Sequence, residues 1–593
     1  MPRMGMHARP LPRPHKVALM SGSEACPSMR QSKYAALICK TGVCSAPEKA
    51  AILKAYVSRN GSSSYRPVRL SQALIKWLMF AAVTAFIGGA PACAAPFDTL
   101  FGPPLNPPAS AAVDPLVVPA EHRSSGGRLD VTLEARETLV RLGGFEIHGA
   151  TYDGLYGGPV LRVSPGDLLH VRLVNKLPQA TNIHFHGLQV SPRGHGDNSM
   201  HMVAPGATWD YVIQIPKDHP PGVYWFHTHA HDAAERQMMG GLSGTLIIEG
   251  FQDEMPATRP LKERLFALKE FTPDRHGDLN RVPKPYNLAI KTINGQLMPR
   301  IDIQPGESQL WRFSDQTANT YFRLTLESHT FTIVGRDGQP LVHPEIVSEL
   351  MFGPSQRVDV VVTAAAARSY KLVAESTETG PVGDVFPAQN LALLVSTSVP
   401  GEAPPSALGR LDPIGAPPAP ISDERIDAHR VMTFSEDPVT GLFYINHATF
   451  DPKRVDLKVP LGSIEEWTVR NSSEELHVFH IHQVHFQVLS VNGKPVPFSS
   501  LVDTINVPIH GEVKVRVAFT DPNIVGRFMF HCHILEHEDK GMMAQMEVYD
   551  PKTGPLPDDA MDMGMDMSGE GGAPAAPSNG GAGKSDMTHA NHG

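Results

Sequence analysis

Cysteine is nearly missing from most of this 593-residue chain: four of the five lie at Cys26, Cys39, Cys44 and Cys93, leaving Cys532 alone in the last 500 residues. One cysteine cannot pair with itself, so a disulfide-stapled secreted scaffold is excluded. Zinc ribbons and iron–sulfur proteins need clustered thiolates and are excluded with it. Charge is sparse too. Asp, Glu, Lys and Arg make up 19% of the chain and the formal net charge is -9, so there is no basic footprint for nucleic acid. Proline (54), glycine (51), histidine (28) and methionine (23) are plentiful instead. Such a mixture suits an all-β protein with many turns better than a helical bundle. The length allows roughly three or four domains with large cores.

Residues Trp77 to Ala90 form an apolar run of 14, preceded by Arg66, Arg69 and Lys76 and followed by Ala92-Cys93-Ala94. A run this short is more often the core of an export signal, here with a small-x-small cleavage site near Ala94, than a retained membrane anchor. About 65 residues precede this segment, where a signal peptide would begin the chain, which places the expected start near Val68. No adjacent arginine pair precedes the run, so the general secretory route is expected over the twin-arginine one. Residues 1–95 are accordingly an extension plus signal, and the mature chain is exported to the periplasm or secreted, with no stable membrane span after cleavage.

Beyond residue 95 the chain alternates apolar and polar residues as strands do. Val513, Val515, Val517 and Phe519 fall on one face, Lys514 and Arg516 on the other. A weak repeat organises these strands. Pro165-Gly166-Asp167, Pro305-Gly306-Glu307 and Leu461-Gly462-Ser463 each introduce a strand-like run. The expected fold is all-β, with three Greek-key β-sandwich domains at 96–255, 256–400 and 425–550. A Pro-rich linker at 401–424 and a Met- and Gly-rich disordered tail at 551–593 complete the organisation.

The repeat carries chemistry. Gly526 to Met543 reads G-R-F-M-F-H-C-H-I-L-E-H-E-D-K-G-M-M, and Gly222 to Met239 reads G-V-Y-W-F-H-T-H-A-H-D-A-A-E-R-Q-M-M. His227 and His229 match His531 and His533; His184 and His186 match His480 and His482. Where the third block has Cys532, His537 and His477, the first has Thr228, Ala233 and Thr181. In a strand both histidines of His-x-His face one way, so four such pairs from two blocks can present eight imidazoles across a domain interface. The residue between points to the opposite face. There Cys532, His477 and His537 make a His₂Cys set with Met542 as weak axial ligand, the pattern of a blue-copper electron-transfer site.

With these motifs the chain resembles a three-domain multicopper oxidase of the laccase family from about Pro96 to Asp550. The resemblance implies three cupredoxin-like domains and four copper ions: one type 1, one type 2 and two type 3. His477, Cys532, His537 and Met542 would hold type 1; His184 and His480, type 2; His186, His227, His229, His482, His531 and His533, the type 3 pair. It further implies four one-electron oxidations of a donor coupled to reduction of O2 to two waters. That reduction consumes four protons, and Glu538, beside His537, and Asp197, eleven residues after His186, are the candidate suppliers.

Phenols, aromatic amines, bilirubin-like pigments, Mn(II) and Cu(I) all serve as donors in such a family. A laccase-like phenolic or aromatic donor is the first expectation. A cuprous or other metal-ion oxidase for copper tolerance is the alternative, since Met561 to Met567 reads M-D-M-G-M-D-M and soft thioethers suit Cu(I). Met200-His201-Met202 points the same way; the lack of any methionine but Met529 between His482 and His531 points against it. A copper-binding or electron-carrier protein without turnover is a third class, for which the complete ligand set would be superfluous. Met238 and Met239 are expected in the core, and His195, His231, His447 and His485 outside the ligand set. A monomer is the expected state.

Overall fold

The computed structural model describes residues 114–142, 145–272, 289–398, 408–411 and 418–556; the expected signal segment and tail lie outside these. Among the described residues the strands form three pairs of facing sheets and a separate two-stranded hairpin, Thr377–Glu378 with Val385–Phe386, and no helix is long and apolar enough to cross a membrane. The first pair lies within Glu121–Ile248, the second within Lys262–Ser396 and the third within Ala428–Tyr549, numbered by their first and last strands.

The alternation drives this packing. Leu168–Asn175 buries every second side chain, with Leu169, Val171 and Leu173 in the core of the first sandwich. Each such side chain contributes roughly 1.5–3 kcal/mol on leaving water. Val513, Val515, Val517 and Phe519 do the same for the third. Their opposite face is covered as well at Arg516, whose guanidinium pairs with Glu466 at 2.9 Å.

The first and third sandwiches repeat one another in strand order. Ser243–Ile248, Gly222–His227 and His184–His186 lie side by side in one five-stranded sheet; Met543–Tyr549, Gly526–Cys532 and His477–Ile481 lie side by side in the other. Register repeats too, with His184 opposite His227 in the first and His480 opposite His531 in the third. The core of the third sandwich continues across the boundary, taking in Trp225, Met238 and Met239 of the first and Ala318, Tyr321 and Phe386 of the second. A short helix of the first sandwich, Ala234–Gly240, is capped from outside itself. Its Ala234 and Glu235 amides donate to Asp539 of the third sandwich, at 3.1 and 3.0 Å, a carboxylate at the positive end of the helix dipole.

Candidate metal centres

Strand periodicity brings the eight expected histidines together where the first sandwich meets the third. All eight are buried. The rings interleave in pairs: His184 stacks on His482 at 3.7 Å and His186 on His480 at 3.9 Å. Within the cluster His184, His186 and His227 have ligand atoms within 4.8 Å of one another, as do His184, His480 and His482, and His229, His482 and His531. His533 sits among them, its ring 5.0 Å from that of His186 and 5.3 Å from that of His227.

Four of the rings are anchored at one nitrogen and bare at the other, and His533 is bare at both among the described residues. His184 Nδ1 donates to Asp197 at 3.0 Å, His227 Nδ1 to the Thr228 carbonyl at 2.7 Å, and His480 Nδ1 to the Asp503 carbonyl at 2.8 Å. His186 reverses the pattern, donating from Nε2 to Asp503 at 3.2 Å. His184 Nε2, His227 Nε2, His480 Nε2 and His186 Nδ1 are buried and have no hydrogen-bond partner among the described residues. His531 Nε2 faces His482 Nε2 at 3.2 Å and His229 Nε2 at 3.4 Å. Neutral nitrogens buried this way lose their water without recompense, a cost that a metal ion removes. Burial also keeps the rings uncharged: it holds His186 and His229 down to about 3, and His227, His480, His482 and His533 well below the ordinary imidazole value. The donor set fits the group the sequence implies.

The opposite face of the same strand holds the second constellation. Cys532 Sγ lies 3.6 Å from His477 Nδ1 and 3.6 Å from His537 Nδ1, with 3.1 Å between the nitrogens, a triangle whose centre is about 2 Å from each corner, a metal–imidazole bond length. The Val478 amide donates to the sulfur at 3.4 Å. Met542 is fully buried, and its carbonyl accepts from the Cys532 amide at 3.1 Å. The equivalent place in the first sandwich is closed by hydroxyls. Thr181 and Thr228, which stand for His477 and Cys532, both donate to Gln237 Oε1 at 2.7 Å. The duplicated site has been replaced there by a knot of hydrogen bonds.

The two proposed carboxylates occupy different settings. Glu538 is buried with Oε2 2.9 Å from His531 Nδ1 and Oε1 3.6 Å from His229 Nε2. Burial pushes its carboxyl up; His229 and His531 outweigh that and hold it at about 2. Asp197, despite its spacing, reaches the cluster, and its oxygens are all engaged: by His184 Nδ1, by the Phe185 amide at 2.9 Å and by Gln483 Nε2 at 2.7 Å. Both methionines of the repeat, Met238 and Met239, are buried in the core. Of the remaining histidines, His195 stacks on Trp209, and His485 bonds Gln189 at 2.8 Å.

Sequence reading missed the groups around the triangle's outer edge and behind the cluster. Glu475 Oε1 is 3.1 Å from His537 Nε2, and Phe443 stacks on the His537 ring at 4.0 Å. Half-buried Glu436 pairs across the strands with Phe443 and hydrogen-bonds Glu475, its carboxyl raised by burial and by that neighbour. A hairpin of the second sandwich covers Glu475: the Leu476 amide donates to the Thr379 carbonyl at 2.7 Å. Behind the cluster, a cavity of about 280 Å³ between the second and third sandwiches reaches Arg357 and Thr504. No local pattern marks any of these residues.

Comparison with known proteins agrees with this geometry. Three family profiles, each described as multicopper oxidase, match residues 135–253, 252–398 and 420–552. A Staphylococcus aureus protein named multicopper oxidase mco is 26% identical over 415 residues, covering 67% of this chain and 83% of that one. A solved multicopper oxidase of Campylobacter jejuni, described as a metallo-oxidase, is 29% identical with a TM-score of 0.62, over 74% of this chain and 95% of that one. The laccase-like CueO of a lignin-degrading Ochrobactrum, described as acting on lignin model compounds and lignosulfonate, is 25% identical with a TM-score of 0.62, over 73% of this chain and all of that one. With cupredoxin-like sandwiches, buried imidazoles bared toward one another and a thiol between two further imidazoles, the chain belongs to the multicopper oxidase family and is a copper-dependent oxidoreductase.

Proposed function

We propose that this oxidoreductase takes electrons one at a time from a small phenolic or aromatic donor beside His537 and delivers them to O2, forming two waters. His477, Cys532, His537 and Met542 would hold one type 1 copper, His184 and His480 a type 2 copper, and the other six histidines a type 3 pair. Bound copper would supply single-electron transfer at the triangle and reduction of dioxygen at the cluster. The single observation carrying this reading is the placement of Cys532. Its sulfur lies in the triangle, while its two chain neighbours, His531 and His533, lie in the cluster. An electron therefore needs only a few covalent bonds to pass between the two.

The remaining steps belong to the chain's own groups. Glu475, buried at His537 Nε2, is hydrogen-bonded by the half-buried Glu436, whose carboxyl would provide the acceptor for a phenolic hydroxyl. Exposed Leu442 and Val385 lie on the two hairpins that carry Phe443 and cover Glu475, an apolar rim suited to an aromatic ring. Glu538, ionised at neutral pH, relays protons to the cluster by accepting and passing them on, and Asp197 holds His184.

The same Glu436–Glu475 pair favours a second reading, a metal-ion donor, because two adjacent carboxylates beside His537 suit a cation. Oxygen uptake with a dimethoxyphenol and with Cu(I), for the full chain and for one ending after Pro551, separates the two. A donor preference for Cu(I) that vanishes on truncation would assign the Met-rich tail to copper handling; unchanged Cu(I) turnover would remove that role. Export to the periplasm or outside, cleavage near Ala94 and a monomeric state belong to the same proposal. The mass of the mature protein and its sedimentation test them. Cys532→Ser is expected to lose blue colour and donor oxidation together, and normal oxidation by that variant would refute the whole reading.

A further inference from the structure

Arg357 opens the strand Arg357–Thr363 of the second sandwich and is buried. Its guanidinium grips Asp503 of the third sandwich through two parallel bonds, Nη1 to Oδ1 at 2.7 Å and Nη2 to Oδ2 at 2.5 Å. Its Nε donates to the Val223 carbonyl of the first sandwich at 3.3 Å. One side chain thus reaches all three sandwiches. Stability alone is a poor explanation, because withdrawing two charges from water offsets most of their attraction.

The neighbours of Asp503 supply a better one. Its carboxylate takes the proton of His186 Nε2 at 3.2 Å, and its carbonyl takes that of His480 Nδ1 at 2.8 Å. Those two bonds leave His186 Nδ1 and His480 Nε2 bare, and both atoms are buried without a hydrogen-bond partner among the described residues. The same two rings stack on each other. Without an acceptor beside Nε2, His186 could carry its proton on Nδ1 and offer the wrong nitrogen. The chain also makes room for the pair at that point. Gly187, next to His186, has φ +86°, and a Cβ there would stand 2.7 Å from both Arg357 Nη2 and Asp503 Oδ2.

We propose that the Arg357–Asp503 pair is a positioning device for the cluster, fixing the tautomer and ring direction of His186 and His480. The second sandwich, which contributes no cluster histidine, thereby governs how tightly the cluster holds metal. This rests on the copper reading above and concerns two residues that reading does not use.

The test is copper titration of the full-length apoprotein against a competing chelator, with blue absorption from the Cys532 triangle recorded alongside. Asp503→Ala combined with Arg357→Met removes both charges, so neither is left buried alone. That variant is expected to bind cluster copper about 10- to 100-fold more weakly while keeping its blue absorption. Asp503→Asn with Arg357→Gln, which keeps an oxygen facing His186, is expected to recover most of the loss. Wild-type cluster affinity in the first variant, with blue absorption intact, overturns the proposal. If that variant loses its blue absorption as well, Arg357→Lys decides: it keeps the charge and loses the fork. Weakened cluster binding there supports the device and unchanged binding refutes it. A wild-type chain that binds no copper at the cluster would instead bring down the copper reading itself.

Discussion

Replacing Glu538 by Gln asks whether proton supply has a single source. The substitution keeps the size of the side chain and removes its titration. Glu538 is the carboxylate with an oxygen 2.9 Å from one cluster imidazole and 3.6 Å from another. The rival Asp197 has its oxygens bound to three donors. A positioned group that takes up and passes on a proton contributes typically 10²- to 10⁴-fold, equivalent to about 3–5 kcal/mol of barrier. Oxygen uptake at saturating donor should therefore fall at least about 100-fold across pH 5–8, the lower end of that range. Copper content and blue absorption should stay the same, because the Cys532 carbonyl, 3.0 Å from His531 Nδ1, still anchors that ring. Equal turnover of variant and wild type across that range would refute the proton assignment to Glu538.

Two other perturbations separate roles that look alike on paper. Asp197→Asn should leave proton supply intact and weaken copper at the cluster about 10- to 100-fold, because it alters the acceptor of His184 Nδ1; chelator competition measures it, and lost turnover at full copper content would contradict it. Glu270 is fully buried, accepts from the Ala318 and Asn319 amides at 3.1 and 3.0 Å, and burial raises it to about 7. Its folded value lies above the ordinary one, so the folded chain holds the extra proton and stability falls as pH rises from about 4.5 to 7, by about 3 kcal/mol. Glu270→Gln should flatten that slope in denaturant midpoints at pH 4.5 and pH 8, and parallel slopes for the two proteins would contradict it.

The grouping of the histidines was legible in the sequence because strand geometry has a period of two. His-x-His written in an apolar run can only face one way, and Cys532 between two such residues can only face the other. Repetition of the pattern in two blocks did the rest, since the absent residues of the first block, at Thr181, Thr228 and Ala233, sorted the histidines of the third into two groups. The carboxylates followed a different logic. Glu538 was visible through its adjacency to His537, and Asp197 was placed only loosely, because its loop between strands has no fixed period. Arg357 and Asp503 were invisible. They are 146 residues apart, sit on different sandwiches, and meet only through the packing of a third. Glu475 was hidden for the same reason: its importance comes from the His537 ring, which reaches it from Leu535–Asp539, far later in the sequence.

That five-residue helix has a mechanical meaning. His537 turns toward the thiol, Glu538 toward the imidazole cluster, and Asp539 toward the amides of Ala234 and Glu235. Three successive residues thus point along three directions from one turn of backbone, like the teeth of a single gear. The proposed electron entry at His537, the proposed proton path at Glu538 and the contact between the first and third sandwiches therefore share one turn of backbone. On the proposed roles, parting the two sandwiches at this seam would tilt the donor-side ring and withdraw the carboxylate together, coupling both to the same contact.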